Sequence, residues 1–411
     1  MSNSFRVFVG IALSFFVGNS AVAADPAIKK WEDRALGAEP IEGLEVGAYR
    51  LATGLYLSMY LAGAMVDDRY TLKTDLPSAD ATSDEAAIAA GRTYLASYYG
   101  ESAGRLGRIR RLSGRDDLQE LGNAAAKMAF QMVTSTKGDP VPYRPFVVPG
   151  RYVPTQIPGD VRTAHLPHFA FNAARATEIA PPPGPDTKQY ADSYNETKSI
   201  GSAASSIRTE DQSKATMIYD LQDPHPMIYR ILERRDLSLF EQARIMAIMN
   251  MGFEDFGAAQ FAGKLHFQSW RPITAIRNGD IDGRDDTAID PHWTPLLETP
   301  NSSEYPCGHC TFVSGTAHLM NALLPLEDGE KVVILASDLI TTDDNRGYSG
   351  DLLSYIDGFQ IELDSYTDYR VQGSESRIHN GAHFRYSIDA GMALGKDVGQ
   401  AILDAWDGLP D

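Results

Sequence analysis

The chain has 411 residues, of which 43% are hydrophobic, and a formal net charge of −18. This length supports one large hydrophobic core or two modest ones, and it excludes the class of small domains that need disulfides to fold. The acidic balance disfavours binding to nucleic acid or to anionic membranes, so a local cluster of basic residues needs an explanation.

The first residues have the pattern of an export signal. Arg6 precedes an apolar run over residues 7–17, and Ala21-Val22-Ala23 provides a small-residue cleavage site. This pattern predicts a signal peptide over residues 1–23 and an exported protein, located in the periplasm or outside the cell. The alternative is an uncleaved anchor, although the run is shorter than the roughly 20 apolar residues that span a bilayer. Residues 51–66 are also too short to span, so we expect a buried helix there and no integral membrane association.

Ala- and Leu-rich stretches dominate the part of the chain that follows. They predict helices over residues 43–66, 84–112 and 116–133, which together form an N-terminal helical region over residues 24–138.

A proline-rich segment comes next, over residues 139–185. Its prolines end in the run Pro181-Pro182-Pro183-Gly184-Pro185, which excludes helix through most of the segment. We predict an extended connector whose aromatic side chains lie against the folded body.

Residues 186–411 are predicted to form the helical domain that carries the chemistry. Ser238 and Glu241 have the spacing of a capping box at the start of a helix. Apolar residues between Ala390 and Ala405 recur at the spacing of one helical face. Residues 332–335 are β-branched and could form a strand or part of a helix. The whole pattern predicts an all-α fold of helical bundles.

Lys264 and Arg271 form the first basic cluster of this domain. They are seven residues apart, nearly two helical turns, so we expect both cations on one helix face, with Pro272 ending or kinking the helix. Like charges so placed repel each other unless an anion lies between them. The alternative is a solvated basic face with acidic partners.

The second cluster is the segment Glu304-Tyr305-Pro306-Cys307-Gly308-His309-Cys310, which precedes an apolar stretch. It predicts a tight turn that leads into a helix, with backbone N–H groups pointing outward as at anion-binding helix N-termini. His309 would stand at that N-terminus. The alternative is a structural turn with a core histidine.

The third cluster contains Arg377 and His383. On a continuous helix these two side chains would face different ways, but Gly381 predicts a turn that brings both toward one point. The alternative is a surface arginine and a buried, hydrogen-bonded histidine.

These motifs, in this order, resemble the signature of the vanadium haloperoxidase and type-2 phosphatidic acid phosphatase superfamily. The signature is Lys264-x6-Arg271-Pro272, then Pro306-Cys307-Gly308-His309, then Ser376-Arg377-x5-His383. Further stretches are similar to the secreted bacterial haloperoxidase branch, and the resemblance covers residues 140–400. The additional stretches are residues 149–155, 181–185, 190–212, 270–277 and 290–296.

The resemblance implies that Lys264, Arg271 and Arg377 hold the equatorial oxygens of vanadate or phosphate, an anion that guanidinium groups bind well. Position 307 and the backbone N–H of Gly308 would add donors to this anion cage.

The resemblance also implies roles for the two histidines. His383 would bond the metal in vanadate or attack phosphorus in a phosphatase, and His309 would be the acid–base group near the apical oxygen. Vanadate would act as a Lewis acid that polarises peroxide without a redox change.

The chain departs from the family pattern at Cys307, where the family usually has serine. Next to three cations and a helix N-terminus we expect the pKa of this thiol to fall, and a thiolate would repel the oxyanion. The thiol would also be exposed to oxidation, which argues modestly against halide oxidation. A disulfide between Cys307 and Cys310 that switches the anion site is a separate hypothesis.

Two further features bear on the reaction. Residues 301–303 are Asn-Ser-Ser, where haloperoxidases of this branch carry an aromatic residue or histidine by the halide pocket. Ser387 stands where lipid phosphatases have aspartate. We also expect Asp255 to order a cage cation, and His292, His318 and His379 to be structural or exposed. His266 is near Lys264 but two positions round the helix, so it is a weaker candidate for the site.

The resemblance favours a vanadate-dependent enzyme that oxidises halide with hydrogen peroxide. The alternative is an exported acid phosphatase that hydrolyses a phosphate ester through a phosphohistidine at His383, with phosphate in place of vanadate. Two further alternatives are a non-catalytic oxyanion-binding protein and, from Cys307-x-x-Cys310, a disulfide oxidoreductase, although residues 291–306 lack the strand that a thioredoxin fold needs. The oligomeric state, the halide and the organic acceptor stay open.

Overall fold

The computed structural model describes residues 27–31, 48–72, 74–99, 115–134, 148–154, 168–221, 223–338 and 354–406. The predicted signal peptide lies outside these residues. So do residues 139–147 and 155–167 of the predicted connector.

The N-terminal part of the described chain contains the helices α1 (Ala48–Met65), α2 (Ser83–Tyr99) and α3 (Asp116–Val133). These helices pack on one another. Helix α3 is polar on one face, but its apolar residues recur at helical spacing and are buried on the other face, and this burial stabilises the helix. The predicted helices are confirmed within the described residues.

The described parts of the connector contain one short 3-10 helix, Ala173–Thr177, and are otherwise without regular helix. Tyr152 and Phe171 are buried, as expected of aromatic residues that lie against the body. Arg151 pairs with Ser269 in an isolated antiparallel bridge, which fixes this segment beside the residues that precede Arg271.

Four helices lead to the site: α4 (Lys188–Ile200), α5 (Glu210–Leu221), α6 (His225–Leu232) and α7 (Leu239–Phe267). The predicted capping box starts α7: the Ser238 hydroxyl accepts from the Glu241 N–H, and the Glu241 carboxylate accepts from the Ser238 N–H. Most side chains of α7 are buried, and it packs against both the N-terminal and the C-terminal helices.

The expectation that Lys264 and Arg271 share one helix face is wrong. Helix α7 ends at Phe267, and Gln268 adopts a left-handed φ of 48° that stops it. Arg271 lies on extended backbone and precedes a separate helix, α8 (Pro272–Ile276). Proline fits the first turn of a helix because its missing N–H is not needed there, so Pro272 begins a helix here and does not end one.

The remaining elements are α9 (Gly308–Leu323), β1 (Val332–Leu335), β2 (Gln360–Leu363), α10 (Tyr366–Asn380) and α11 (Arg385–Trp406). The two strands pair antiparallel, with Val332 opposite Leu363.

Helix α11 crosses close to the start of α9. A Cβ at Gly391 would lie 2.4 Å from the Cys307 carbonyl oxygen, and one at Gly395 would lie 2.1 Å from the Thr311 carbonyl oxygen. Glycine is needed at this contact, and the contact fixes the N-terminus of α9 against the body.

One large hydrophobic core includes residues from α1, α2, α3, α7, α9 and α11. The predicted all-α fold is confirmed. Across the described ranges, no helix is both long and apolar enough to cross a membrane.

Candidate functional site

Four segments of the chain meet around one buried group of basic side chains. They are the last turn of α7, the start of α8, the start of α9 and the turn between α10 and α11. Gly381 has a φ of 81° and ends α10, so the chain reverses and directs Arg377 and His383 toward the same point, as predicted.

Lys264, in the last turn of α7, is held by backbone carbonyls. Its Nζ donates to the oxygens of Ser303 (2.6 Å) and Glu304 (3.0 Å). The Ser303 hydroxyl donates back to the Lys264 carbonyl at 2.7 Å. An ammonium has three donors, so one N–H of Lys264 is left for a ligand as far as the described residues go. Burial and the charge of Arg271 lower the pKa of Lys264 well below its ordinary value.

Arg271 is buried at the start of α8 and joins three segments. Its Nε donates to the Ser302 carbonyl at 2.8 Å, and Nη2 donates to the Ser302 hydroxyl at 3.3 Å. Its Nη1 donates to the Ala382 carbonyl at 2.9 Å and lies 3.0 Å from Nε2 of His383. Burial lowers the pKa of Arg271 to about 10.

Arg377 is fully buried and only partly satisfied. Its Nη1 donates to the carboxylate of Asp220, from α5, which also accepts from the Asn380 amide at 3.1 Å. Within the described part of the chain, Nε and Nη2 of Arg377 have no hydrogen-bond partner. Buried donors are nearly always paired in folded proteins, so two unpaired donors on one cation point to a ligand that accepts from them.

His383 lies between a carboxylate and a guanidinium. Its Nδ1 is 3.0 Å from Oε1 of Glu304, and the Phe384 N–H donates to the same oxygen at 3.0 Å. Glu304 is fully buried, and burial raises its pKa to about 7. Burial, followed by the charges of the three cage cations, lowers the pKa of His383 well below its ordinary value.

The predicted turn into a helix is present at the start of α9. Cys307 is the N-cap residue, and Gly308 and His309 are the first helical residues, where backbone N–H groups lack intrahelical partners. A Cβ at Gly308 would lie 1.7 Å from Oε1 of Gln260, so the close approach of α7 favours glycine at this position.

The expectation of a reactive thiol at position 307 is wrong. Cys307 forms a disulfide with Cys310, and its sulfur accepts from the Cys310 N–H at 3.2 Å. The sulfur therefore carries neither a proton to donate nor a negative charge. This is the pairing that the separate disulfide hypothesis requires, whereas its action as a switch stays a prediction.

His309 is partly exposed beside the cage. Burial and the charge of Arg377 lower its pKa to about 3, while Asp220 acts in the opposite direction through its charge and a backbone hydrogen bond. His309 is therefore neutral near pH 7. An anion bound among the cations would offset their charge and raise this pKa.

Asp255 does not order a cage cation, contrary to expectation. Its carboxylate accepts from the backbone N–H groups of Phe169, Ala170 and Phe171, at 2.7–2.8 Å. It anchors the connector against α7. The residue that does pair with a cage cation is Asp220, which sequence reasoning missed because it lies 157 positions from Arg377.

The other histidines behave as expected. His266 and His292 are exposed, and His318 and His379 are partly exposed. His318 pairs with Gln400 of α11 at 3.0 Å.

Ser302 and Glu304 were also missed as site residues. Ser302 contacts Arg271 twice, in the segment where an aromatic residue or histidine was expected of a haloperoxidase. Glu304 was visible within its motif, yet no local spacing indicates its contact with His383, 79 positions away.

The donor set fits a tetrahedral or trigonal-bipyramidal oxyanion such as vanadate or phosphate. Three buried cations face two carboxylates, Asp220 and Glu304, so the site has an excess of positive charge. Among the described residues, donors on Arg377 and Lys264 remain unpaired, and the helix N-terminus adds backbone N–H groups. A guanidinium only donates, so the lone pair of His383 Nε2 accepts from Nη1 of Arg271.

Residues 244–409 match the family model of the VCPO second helical-bundle domain. The vanadium chloroperoxidase of Curvularia inaequalis is 25% identical to the chain over 289 residues. This match takes in 56% of the chain and 47% of that enzyme, so the chain spans about half the length of this relative.

Solved structures of similar fold cover almost the whole chain. An apo-type bacterial vanadium-dependent chloroperoxidase superposes with a TM-score of 0.64 and 15% identity, over 93% of this chain and 98% of that one. A bacterial vanadium-dependent iodoperoxidase superposes with a TM-score of 0.63 and 16% identity, over 96% and 99%. At these identities the likeness shows the fold. Together with the matched domain, it confirms the predicted resemblance to the vanadium haloperoxidases.

Proposed function

From a fold and a helical-bundle domain shared with the vanadium haloperoxidases, we propose that this chain is an exported vanadate-dependent haloperoxidase. It would oxidise a halide with hydrogen peroxide at a vanadate held by Lys264, Arg271 and Arg377. The observation that carries the proposal is the fully buried guanidinium of Arg377, whose Nε and Nη2 donors have no partner within the described residues.

Two cage cations are already positioned by protein acceptors, although Nη1 of Arg271 donates to Nε2 of His383 in the anion-free protein and would turn from it when the anion binds. Lys264 is held by two backbone carbonyls and Arg271 by two acceptors on Ser302 and one on Ala382, so their heads are already positioned. The Gly308 N–H at the start of α9 would add a neutral donor. Positioned donors bind a charged ligand at little cost in side-chain entropy.

The two histidines would have different tasks. His383 presents its Nε2 lone pair within the cage and would bond to vanadium. When bound, vanadate would supply Lewis acidity that polarises peroxide. His309 is neutral in the anion-free protein and would hold a proton once the anion offsets the cage charge, so it can serve as the local acid–base group.

The disulfide at Cys307 supports oxidation chemistry in this site. A free thiolate would repel the oxyanion and would be oxidised by peroxide or hypohalous acid, and that was the sequence-based argument against this reaction. Sulfur that is already in a disulfide lacks the thiolate.

The same residues suit phosphate, so the acid phosphatase is the competing function, and paired assays on metal-free protein separate the two. Added vanadate should switch on bromide or iodide oxidation by hydrogen peroxide. This oxidation is measured through the halogenation of a diketone indicator. Inhibition of p-nitrophenyl phosphate hydrolysis by vanadate, with no halide oxidation, would establish the phosphatase. No activity in either assay would favour a binding protein.

Variants of the two histidines test the site itself. His383→Ala should abolish the activity, and His309→Ala should reduce it by about 10²–10⁴-fold, the usual contribution of an acid–base group. His318→Ala is the matched control, because it removes an imidazole from the same helix as His309 but on the side that faces Gln400. Activity that survives His383→Ala would contradict the whole assignment.

A further inference from the structure

Glu304 is a buried carboxylate that none of the proposed catalytic roles uses. Its side chain is fully buried, and its backbone is fixed on both sides: its N–H donates to the Ser269 carbonyl at 2.9 Å, and its carbonyl accepts from Lys264. The carboxylate is therefore held by the same segment that positions the cage lysine.

The Glu304 carboxylate contacts one ring nitrogen of His383, the residue proposed to bond to vanadium. Oε1 of Glu304 lies 3.0 Å from Nδ1 of His383 and accepts from the Phe384 N–H at 3.0 Å. The Ser387 hydroxyl is 3.5 Å from the same ring nitrogen, at the limit of a hydrogen bond. Glu304 therefore makes the shorter of the two contacts with Nδ1 of His383.

Two independent neighbours require the same tautomer of His383. An ionised carboxylate only accepts, so Nδ1 must carry the proton. On the other side of the ring, Nη1 of Arg271 is 3.0 Å from Nε2, and a guanidinium only donates, so Nε2 must accept. Protonation of Glu304 would not reverse this, because a proton on Nε2 would then face the Arg271 donor.

We propose that Glu304 is a positioning residue, which fixes the Nδ1–H tautomer and the ring orientation of His383. The Nε2 lone pair then points into the cage, where it accepts from Arg271 in the anion-free protein and becomes available to the oxyanion when Arg271 turns to the anion. The inference rests on the proposed role of His383 as the group that bonds to the anion's central atom. Groups that orient a metal-bound histidine in this way typically contribute about 10–100-fold to metal affinity or activity.

The tautomer is measured directly on the metal-free full chain. Proton–nitrogen correlation spectra of histidine-labelled protein should show His383 protonated at Nδ1 and unprotonated at Nε2, and His383→Gln identifies the signal by its loss. A proton found on Nε2 of wild-type His383 would overturn the proposal without any variant of Glu304.

The functional consequence is measured as a ratio of affinities. Vanadate and phosphate should both contact the cage cations, but the bond to the central atom needs the His383 lone pair. Glu304→Leu removes the acceptor, so the preference for vanadate over phosphate, obtained by equilibrium dialysis, should fall by about 10–100-fold. Glu304→Gln keeps an oxygen for Nδ1 and Phe384, so it should retain the tautomer and stay within about threefold of wild type.

Controls separate this positioning role from a general loss of structure. Glu298→Gln changes an exposed carboxyl a few residues earlier and should leave the ratio unchanged. A merely structural loss would weaken both anions equally, so an unchanged ratio in folded Glu304→Leu would refute the proposal. If the chain proves not to oxidise halides, the tautomer and the binding ratio still decide the role of Glu304.

Discussion

Replacing Arg377 with lysine should separate anion binding from folding. In the wild type, Nη1 pairs with Asp220, whereas Nε and Nη2 are buried without partners in the described residues. Each unsatisfied buried donor costs about 1–3 kcal/mol, so roughly 2–6 kcal/mol of destabilisation would be relieved by an anion that accepts from both. Lysine can keep the ion pair with Asp220, but its ammonium lacks the planar guanidinium fork that places Nε and Nη2 for the anion. An ammonium that pairs with Asp220 also leaves N–H donors unpaired, so the anion-free variant should be within about 1 kcal/mol of wild type.

The loss of anion binding should be visible as a smaller shift of the melting temperature, Tm. Vanadate at 100 times its Kd should stabilise the wild type by about 2.7 kcal/mol. With an unfolding entropy of about 2.1 cal/mol/K per residue, a chain of 411 residues should gain roughly 3 °C in Tm. Two lost charge-assisted hydrogen bonds weaken binding by at least ~3 kcal/mol, about 100-fold. At the same concentration Arg377→Lys should then gain only about 0.4 kcal/mol, or roughly 0.5 °C.

The assay is a thermal melt of metal-free protein with and without vanadate, and with phosphate as a second anion. Arg370→Lys is the matched control, because Arg370 is in the same helix, α10, and outside the cage. It should keep the wild-type shift. A wild-type shift in Arg377→Lys would refute the reasoning, as would a variant that is several kcal/mol less stable before any anion is added.

Two further predictions concern acid and thiol chemistry. Burial lowers the pKa of His309 to about 3 and also lowers that of His383. The folded protein therefore binds fewer protons than the unfolded chain, and its free energy of unfolding should fall as pH drops from 6.5 toward 3, by at most about 1.4 kcal/mol per pH unit for each histidine. Urea titrations at several pH values should show a shallower dependence for His309→Gln, and an identical one would contradict the assignment. Cys310→Ala should leave Cys307 as a thiol at a helix N-terminus, so phosphate affinity should fall as pH rises and the thiolate forms. The same pH dependence in the Cys307→Ser/Cys310→Ala double variant would show that the thiolate has no effect.

Local signals were sufficient for the helices and for the position of the cage. Pro306 and Gly308 place the start of α9 correctly, and the glycine at 381 does reverse the chain after α10, since few other residues adopt its left-handed φ. These features depend on nearby residues, and local preferences determine them.

The failures have two physical causes. Gln268 has no preference for the left-handed φ that ends α7, and Pro272 is as compatible with the first turn of a helix as with the end of one, so the break between Lys264 and Arg271 is not visible in the sequence. The acidic partners fail for a different reason. A carboxylate accepts equally from a guanidinium, an imidazole or backbone N–H groups, and its partner is chosen by the tertiary fold. Asp255 was therefore predicted for a role that Asp220 has.

The construction of the cage implies where selectivity between reactions must arise. Lys264 and Arg271 are fixed by backbone carbonyls, and donors fixed in this way recognise charge and shape. Vanadate and phosphate share both properties, so the cations should bind either anion. What differs between them is the bond to the central atom, and that bond depends on the lone pair of His383. The carboxylate of Glu304, on the opposite side of the imidazole from Arg271, is therefore the position at which a change should alter the choice of anion without removing the ability to bind one.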